Sequence, residues 1–295
     1  MFHGSMVAMV TPMKSGILPD TELDREALER LIEFHIESST DAIVAVGTTG
    51  ESATLTSEEH CEVIAQYVEI AHGRIPIIAG TGANSTIESI CLTQNAKEAG
   101  ADACLLVTPY YNKPTQEGLY QHHKMVAETV DIPQLLYNVP GRTACDMLPA
   151  TIARLAEIPN IIGVKEATGE LDRAGKIREL VGDKFILLSG DDATACNFLL
   201  LGGDGVISVT ANAAPKQMHN MSLRAIEKNN EAAREINHQL EKLHDAMSVE
   251  VNPIPAKWAL NRMGLIDDGI RLPLTWMSTE YEIELEQAMK AAGIL

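Results

Sequence analysis

Eight short apolar runs, separated by stretches of helical period, are the feature that most constrains the fold of this chain. Each run is continuously apolar rather than alternating, which is typical of parallel strands covered on both faces. Successive runs start roughly 20–35 residues apart, the spacing of a strand–helix repeat. Together they predict an α/β fold, a closed (β/α)8 barrel rather than an open sheet. The runs are Ser5–Val10, Ala42–Val46, Ile75–Ala79, Ala103–Val107, Gln134–Tyr137, Ile161–Val164, Phe185–Leu188 and Gly205–Val209.

The stretches between the runs have helical patterns. Glu26–Phe34 carries apolar residues at helical spacing, and Ser57–Ala71 does so after a serine that we expect to be the N-cap. No Gly-x-Gly-x-x-Gly motif follows the first run, which weakens a dinucleotide-binding alternative.

Beyond Ala225 the sequence is poor in strand patterns, with helical stripes over 232–243, near Trp258 and over 279–292. We therefore predict a barrel over residues 1–225 and a small C-terminal helical extension over residues 226–295. Its expected role is to pack against the barrel, and the alternative is a role in oligomer contacts.

Charge and cysteine content exclude several classes of partner. The chain has 23 Lys and Arg against 41 Asp and Glu, a formal net charge of -18, which repels nucleic acids and anionic membrane surfaces. No stretch approaches the ~18 apolar residues of a membrane span, and the N-terminus has no signal-peptide core. The five cysteines are odd in number and no pair is close enough for a metal or redox motif, so we expect reduced thiols in a cytoplasmic protein.

In a barrel enzyme the site lies at the carboxyl ends of the strands, where several runs here are followed by polar residues. Hydroxyls and backbone N–H groups of 47–52 could hold a small carboxylate, although an ordinary glycine-rich turn would look the same. Tyr110 and Tyr111 follow the fourth run, and the fifth run ends at Tyr137 and is followed by Arg142. A phenol can relay a proton and a guanidinium can grip a carboxylate, but singly they could be a packed tyrosine and a surface charge.

Lys165 comes directly after the sixth run. Its side chain could reach out to solvent, but an amine held inside the barrel mouth loses its proton more readily and can attack a carbonyl carbon. The nine histidines form no metal-ligating cluster, and the loop after the eighth run lacks the glycines of a phosphate site. Taken jointly, the polar ends of the second, fourth, fifth and sixth runs indicate acyl or carbonyl chemistry, with no metal-ligating constellation to compete.

Four strings resemble those of the 4-hydroxy-tetrahydrodipicolinate synthase (dihydrodipicolinate synthase) family: Gly-Thr-Thr-Gly-Glu-Ser at 47–52, Tyr-Tyr-Asn at 110–112, Tyr-Asn-Val-Pro-Gly-Arg-Thr at 137–143 and Gly-Val-Lys-Glu-Ala at 163–167. The resemblance covers essentially the whole chain and implies a lyase of lysine and diaminopimelate biosynthesis. Its reaction would be the condensation of pyruvate with L-aspartate-4-semialdehyde. It also implies a homotetramer, built as a dimer of dimers.

The resemblance implies a role for each matching residue. Lys165 would form the imine with pyruvate, Tyr137 would shuttle protons, and Thr48 would link Tyr137 to a Tyr111 contributed across a subunit interface. The expected substrate-binding residues are Thr49 for the pyruvate carboxylate, Arg142 for the semialdehyde carboxylate, and the backbones of Gly190 and Ile207 lining the pocket around Lys165.

Feedback inhibition by lysine at a dimer-interface cavity is also implied. Ser57 stands where lysine-sensitive relatives often carry histidine, and its short hydroxyl cannot make the same ring contact, so the potency is left open. Plain interface residues are the alternative interpretation. The matching positions are Ser52, Ala53, His60, Asn84, Glu88 and Tyr110.

Two other functions remain as alternatives. Other pyruvate aldolases, such as N-acetylneuraminate lyase or keto-deoxy sugar acid aldolases, share the lysine and the Tyr-Asn-x-Pro tyrosine but generally lack an arginine placed like Arg142 and the second tyrosine of the pair. A non-catalytic ligand-sensing barrel is the other alternative.

Overall fold

A computed structural model describes residues 2–295 and confirms the closed barrel. Eight parallel strands pair in sequence order, and β8 closes the ring on β1. The strands are Gly4–Ala8 (β1), Ala42–Ala45 (β2), Ile77–Gly80 (β3), Ala103–Val107 (β4), Gln134–Asn138 (β5), Ile161–Glu166 (β6), Ile186–Ser189 (β7) and Gly205–Ser208 (β8).

The helices cover the outside of the barrel and form the C-terminal extension. Because α9 closes the last strand–helix unit, the predicted boundary at residue 225 falls at its end. The helices are Arg25–Glu37 (α1), Ser57–Ala71 (α2), Thr86–Ala99 (α3), Gln116–Thr129 (α4), Pro140–Thr143 (α5), Pro149–Leu155 (α6), Leu171–Val181 (α7), Asp192–Leu200 (α8), Pro215–Ile226 (α9), Asn230–Ala246 (α10), Ile254–Arg262 (α11) and Thr279–Ala291 (α12), with a 3-10 turn at Thr210–Asn212.

The start of α2 differs from the prediction. Thr56, not Ser57, is the N-cap: its hydroxyl accepts from the Glu59 backbone N–H, and the Glu59 carboxylate accepts from the Thr56 N–H. This reciprocal capping box satisfies two backbone donors that a helix start leaves unpaired. Ser57 is therefore the first residue of the helix.

The register of β5 and β6 decides which side chains face the barrel axis. Tyr137 pairs with Lys165, and Asn138 pairs with Glu166. Side chains alternate between the two faces of a strand, so the first pair points to one side and the second pair to the other. Tyr137 belongs to the apolar cluster inside the barrel, whereas Glu166 meets Arg173 of α7 in the helical layer.

Residues 2–295 were searched for paired cysteines, clusters of potential metal ligands and membrane-spanning helices. All five cysteines are unpaired, and no group of three or more potential metal ligands occurs among these residues. None of the helices in this range combines the length and the apolar character that crossing a bilayer requires.

Candidate active site

A cavity of about 240 Å³ opens at the carboxyl ends of the strands. It is lined by side chains at the ends of β2, β5, β6 and β7 and by residues of the C-terminal extension. Six of the eight residues predicted for catalysis and substrate binding line it: Thr48, Thr49, Tyr137, Arg142, Lys165 and Gly190.

Lys165 points into this cavity. It lies within β6 rather than after it, and only 5 % of its surface is exposed. Its Nζ lies 4.3 Å from the centroid of the Tyr137 ring, the neighbour that the strand register provides. The amine and the phenol therefore share one enclosed space, as a proton transfer between a lysine-bound substrate and a tyrosine requires.

The absence of a side chain at Gly190 makes space for the side chain of Lys165. A Cβ added at this position would lie 2.8 Å from Lys165 Cε, 3.0 Å from Lys165 Cγ and 2.6 Å from the Cβ of Ala167. Real Cβ atoms do not approach other carbons so closely, because the core is already packed at close to crystal density. The glycine therefore permits the path of the lysine side chain.

A buried polar network holds the segment that carries Arg142. Arg173 of α7 donates from Nε to Glu166 at 3.1 Å and from Nη2 to Asp146 at 2.6 Å. Asn138 donates to Asp146 at 2.9 Å and accepts from the Met147 backbone N–H at 2.9 Å. These bonds connect β5, β6 and α7 to the turn after α5. The network therefore links β6, which carries Lys165, to the segment next to Arg142.

Burial raises the pKa of one carboxyl group inside this network. The pKa of Glu166 is raised, chiefly by desolvation, against the opposing effect of the Arg173 guanidinium and the Asn138 amide. The carboxyl group faces the helical layer rather than the cavity, so its role here is to anchor its partners.

The C-terminal extension contributes one wall of the cavity, which the sequence analysis did not predict. The end of α10 and the segment before α11 line it with His244, Asp245, Met247, Ser248 and Asn252. Asn252 donates from Nδ2 to the Thr49 hydroxyl at 2.9 Å. The helical stripes of the extension predicted only packing against the barrel or oligomer contacts, and they carried no signal for this wall.

The extension also grips the loop that follows β2. Glu51 and Lys257 form an ion pair with both side chains fully buried, and Lys257 donates to the Gly269 carbonyl at 2.8 Å. The Arg271 backbone N–H donates to Glu51 at 3.3 Å, while its guanidinium donates two 2.7 Å bonds to Glu59. The loop carrying Thr48 and Thr49 is thus fixed by residues more than 200 positions further along the chain.

Two predicted residues do not line the cavity. Tyr111 is 88 % exposed and has a backbone φ of +73°, a conformation that costs a non-glycine residue free energy. Ile207 is buried among the apolar side chains of the barrel interior and is not among the residues that line the cavity, so the place of its backbone beside Lys165 stays a prediction.

A second cavity of about 290 Å³ lies beside the first, at the start of α2 and α3. Five of the six predicted regulatory residues line it, and so does Ser57. Asn84 does not, and its backbone carbonyl instead accepts from the Asn112 side chain at 2.9 Å. The five lining residues are Ser52, Ala53, His60, Glu88 and Tyr110.

Burial shifts the pKa values of two ionisable groups that line the second cavity. Desolvation lowers the pKa of His60, so its ring is neutral at pH 7 and makes a 2.8 Å hydrogen bond to the Gly80 carbonyl. The pKa of Tyr110 is raised by desolvation and by the neighbouring Glu88 carboxylate. Glu88 supplies a carboxylate to this cavity and Arg142 a guanidinium, and the carboxylate suits a ligand that carries an ammonium group.

The two cavities share a wall. Thr48, Val139 and Arg142 line both of them. A ligand in either cavity therefore touches side chains that a ligand in the other also touches.

Comparison with known proteins places these features in a family. The sequence model of the dihydrodipicolinate synthetase family matches residues 1–292. A 4-hydroxy-tetrahydrodipicolinate synthase of Methylococcus capsulatus is 63 % identical over the full length of both chains.

Solved structures agree in fold along the whole chain. The chloride-inhibited dihydrodipicolinate synthase of Acinetobacter baumannii was solved in complex with pyruvate. It is 55 % identical to this chain with a TM-score of 0.97, and the match covers 100 % of both chains. A dihydrodipicolinate synthase of Cyanidioschyzon merolae, solved with lysine bound, is 41 % identical with a TM-score of 0.95, over 100 % of this chain and 99 % of that one.

Proposed function

The chain belongs to the dihydrodipicolinate synthetase family, and we propose how its own residues carry the family's reaction. That reaction condenses pyruvate with L-aspartate-4-semialdehyde to 4-hydroxy-tetrahydrodipicolinate in diaminopimelate and lysine biosynthesis. The observation that carries the proposal is the enclosed Lys165 amine beside the Tyr137 ring, in a cavity that also holds Arg142.

Imine formation comes first. The neutral Lys165 amine attacks C2 of pyruvate, and loss of water leaves a protonated imine bonded to the enzyme. The electron pair of the C3–H bond then forms a C2–C3 double bond, the π pair of the C=N bond moves onto the nitrogen, and the proton leaves to a base, giving an enamine. Tyr137 is the group beside the amine that exchanges these protons, with Thr48 connecting it to further donors.

The role of Arg142 is to bind the second substrate, L-aspartate-4-semialdehyde. The nucleophilic enamine carbon attacks the aldehyde carbon, and the aldehyde oxygen takes up a proton. The substrate's own amino group then attacks C2, which closes the ring and releases Lys165. Arg142 holds the semialdehyde carboxylate at the cavity mouth, since a guanidinium can donate two parallel hydrogen bonds to it.

Thr49 and Gly190 complete the pyruvate site in this proposal. Thr49 presents its backbone N–H and hydroxyl to the pyruvate carboxylate, and Gly190 allows close approach of the substrate and the Lys165 chain. No cofactor or metal takes part, because the imine nitrogen is itself the electron sink.

We assign Tyr111 to the active site of a neighbouring subunit. Its near-complete exposure and strained backbone support this, because a strained φ persists where surrounding contacts hold it. The proposed assembly is a homotetramer of two dimers, in which Tyr111 of one protomer reaches the Thr48 and Tyr137 of its partner. A cytoplasmic location is supported by the five unpaired cysteines.

Lysine is the proposed inhibitor, bound in the second cavity. Glu88 would pair with an ammonium group of lysine, and Tyr110, Ser52 and His60 would complete the polar wall. The lysine-bound relative from Cyanidioschyzon merolae supports this ligand. Ser57 lines the same cavity, and its short side chain leaves more room there than a histidine would.

Borohydride trapping tests the mechanism. Incubation with pyruvate followed by reduction should add a pyruvate-derived mass to the peptide that contains Lys165, and an adduct elsewhere would refute the assignment. Pyruvate should be consumed only when aspartate semialdehyde is present, whereas cleavage of sialic acid would favour N-acetylneuraminate lyase.

Arg142→Ala separates the two substrates. The variant should keep trapping by pyruvate while losing condensation by roughly a hundredfold, the cost of a charged hydrogen-bonding partner. Equal loss of both would show that Arg142 does not serve the second substrate.

A further inference from the structure

The contact between the C-terminal extension and Thr49 assigns the extension a part in substrate binding. We propose that Asn252 is a positioning residue for pyruvate: it fixes the Thr49 hydroxyl so that the single proton of that hydroxyl points at the substrate carboxylate. This inference rests on the proposed pyruvate site, in which Thr49 binds the carboxylate.

The direction of the hydrogen bond carries the inference. A threonine hydroxyl has one proton to donate and two lone pairs to accept with. The Asn252 amide donates to the Thr49 oxygen at 2.9 Å, so one lone pair is occupied and the proton must be directed elsewhere. Within residues 2–295 this is the one hydrogen bond of the Thr49 hydroxyl, so its proton is left for a ligand in the cavity that both residues line.

Burial makes this orientation effective. Thr49 is 2 % exposed, so water competes little for its hydroxyl. A donor already aimed at an anion pays no further cost for reorientation when the anion arrives. Asn252 thus prepares the site before pyruvate binds.

The same extension immobilises the backbone on the far side of Thr49. Glu51 lies two residues beyond Thr49 and is held by the buried Lys257 ammonium and the Arg271 backbone. Asn252 lies two residues before α11, and Lys257 lies within that helix, five residues further along the chain. The extension therefore fixes both the path of the loop and the direction of its hydroxyl, which a role limited to packing would not require.

Four variants distinguish positioning from packing: Asn252→Ala, Asn252→Asp, Thr49→Val, and Thr49→Val combined with Asn252→Ala. The measured quantities are the pyruvate concentration for half-maximal borohydride trapping at Lys165, the KM for each substrate, and the thermal midpoint. Asn261→Ala is the matched control, since Asn261 lies in α11 of the same extension and donates its amide to the Ile266 backbone carbonyl at 3.0 Å, but lines neither cavity.

Asn252→Ala should raise the half-saturating pyruvate concentration roughly threefold to tenfold, the size of one neutral hydrogen bond, with the KM for the semialdehyde little changed. Asn252→Asp should be worse than Asn252→Ala, by roughly tenfold more, because a carboxylate accepts the Thr49 proton and repels the pyruvate anion. Asn261→Ala should leave both KM values at the wild-type level.

The order of the two Asn252 substitutions is decisive. If the residue only fills space, the isosteric Asn252→Asp will be milder than Asn252→Ala, and the proposal is overturned. In the Thr49→Val background, Asn252→Ala should add less than about twofold, since contacting residues that act as a unit are not additive. Full additivity would equally overturn it.

Failure of the proposed function has a different signature. If wild-type protein gives no adduct at Lys165, the pyruvate site itself is wrong. If wild-type protein traps pyruvate and the Asn252 variants trap it with unchanged half-saturation, only the positioning role is wrong.

Discussion

Removing the buried cation Lys257 should destabilise the whole fold. Its Nζ and the Glu51 carboxylate pair with both side chains fully buried, and the amine also donates to Gly269. Lys257→Met keeps a side chain of similar length and removes the charge. Glu51 is then left as a buried carboxylate whose remaining donors are the Arg271 backbone at 3.3 Å and the Thr54 hydroxyl at 3.3 Å.

Breaking a buried ion pair at one partner costs about 3–5 kcal/mol, because the other charge stays desolvated. The unfolding entropy is roughly 2.1 cal/mol/K per residue, so 295 residues give about 0.6 kcal/mol/K. The thermal midpoint of Lys257→Met should therefore fall by roughly 5–8 °C. Circular dichroism at one fixed protein concentration measures this, since the midpoint of an oligomer depends on concentration.

Two controls bear on the reasoning. Lys290→Met removes the cation of an exposed pair with Glu286 and should leave the midpoint within experimental error. Adding Glu51→Gln to Lys257→Met should restore most of the loss, because no uncompensated charge then remains buried. A single variant as stable as wild type, or a double variant less stable than the single, would refute the electrostatic argument.

Three further predictions concern the cavities and α2. Gly190→Ala should reduce trapping at Lys165 by roughly a hundredfold, as a displaced catalytic group typically does, and mass spectrometry of the reduced adduct measures it. Glu88→Gln should weaken lysine inhibition roughly tenfold without changing the pyruvate KM, as steady-state assays with added lysine would report. Arg271 lowers the pKa of Glu59 to about 2, so its stabilisation is complete above pH 4.5 and disappears as the pH falls toward 2; urea midpoints of wild type and Glu59→Gln should converge there, and a constant gap would contradict it.

The barrel was predictable because each strand is an uninterrupted apolar run, a pattern that local sequence carries by itself. The strand ends were less so. β5 and β6 continue through Asn138, Lys165 and Glu166, since the hydrogen-bond ladder extends over polar residues wherever the barrel mouth or a buried network receives them. This is why Lys165 was expected after a strand and lies within one.

The contribution of the extension to the site was not predictable from the same information. Asn252 and Thr49 are 203 residues apart, and no periodicity or spacing brings them together. A helical stripe shows that an element packs, but it does not show which edge of the barrel receives the end of the helix. The position of Tyr111 has a similar origin, because its proposed partners lie in another copy of the chain.

The wall shared by the two cavities has a consequence for how the enzyme would respond to supply and demand. Thr48 and Arg142 face both a proposed substrate space and a proposed inhibitor space, so the coupling between them needs no relay through distant parts of the fold. Coupling free energy is reciprocal: the factor by which a bound inhibitor alters substrate affinity is also the factor by which bound substrate alters inhibitor affinity. The lysine concentration that gives half-maximal inhibition is then not a constant of the protein. It changes with the pyruvate concentration, because the same short wall contacts the proposed sites of the end product and of the starting material.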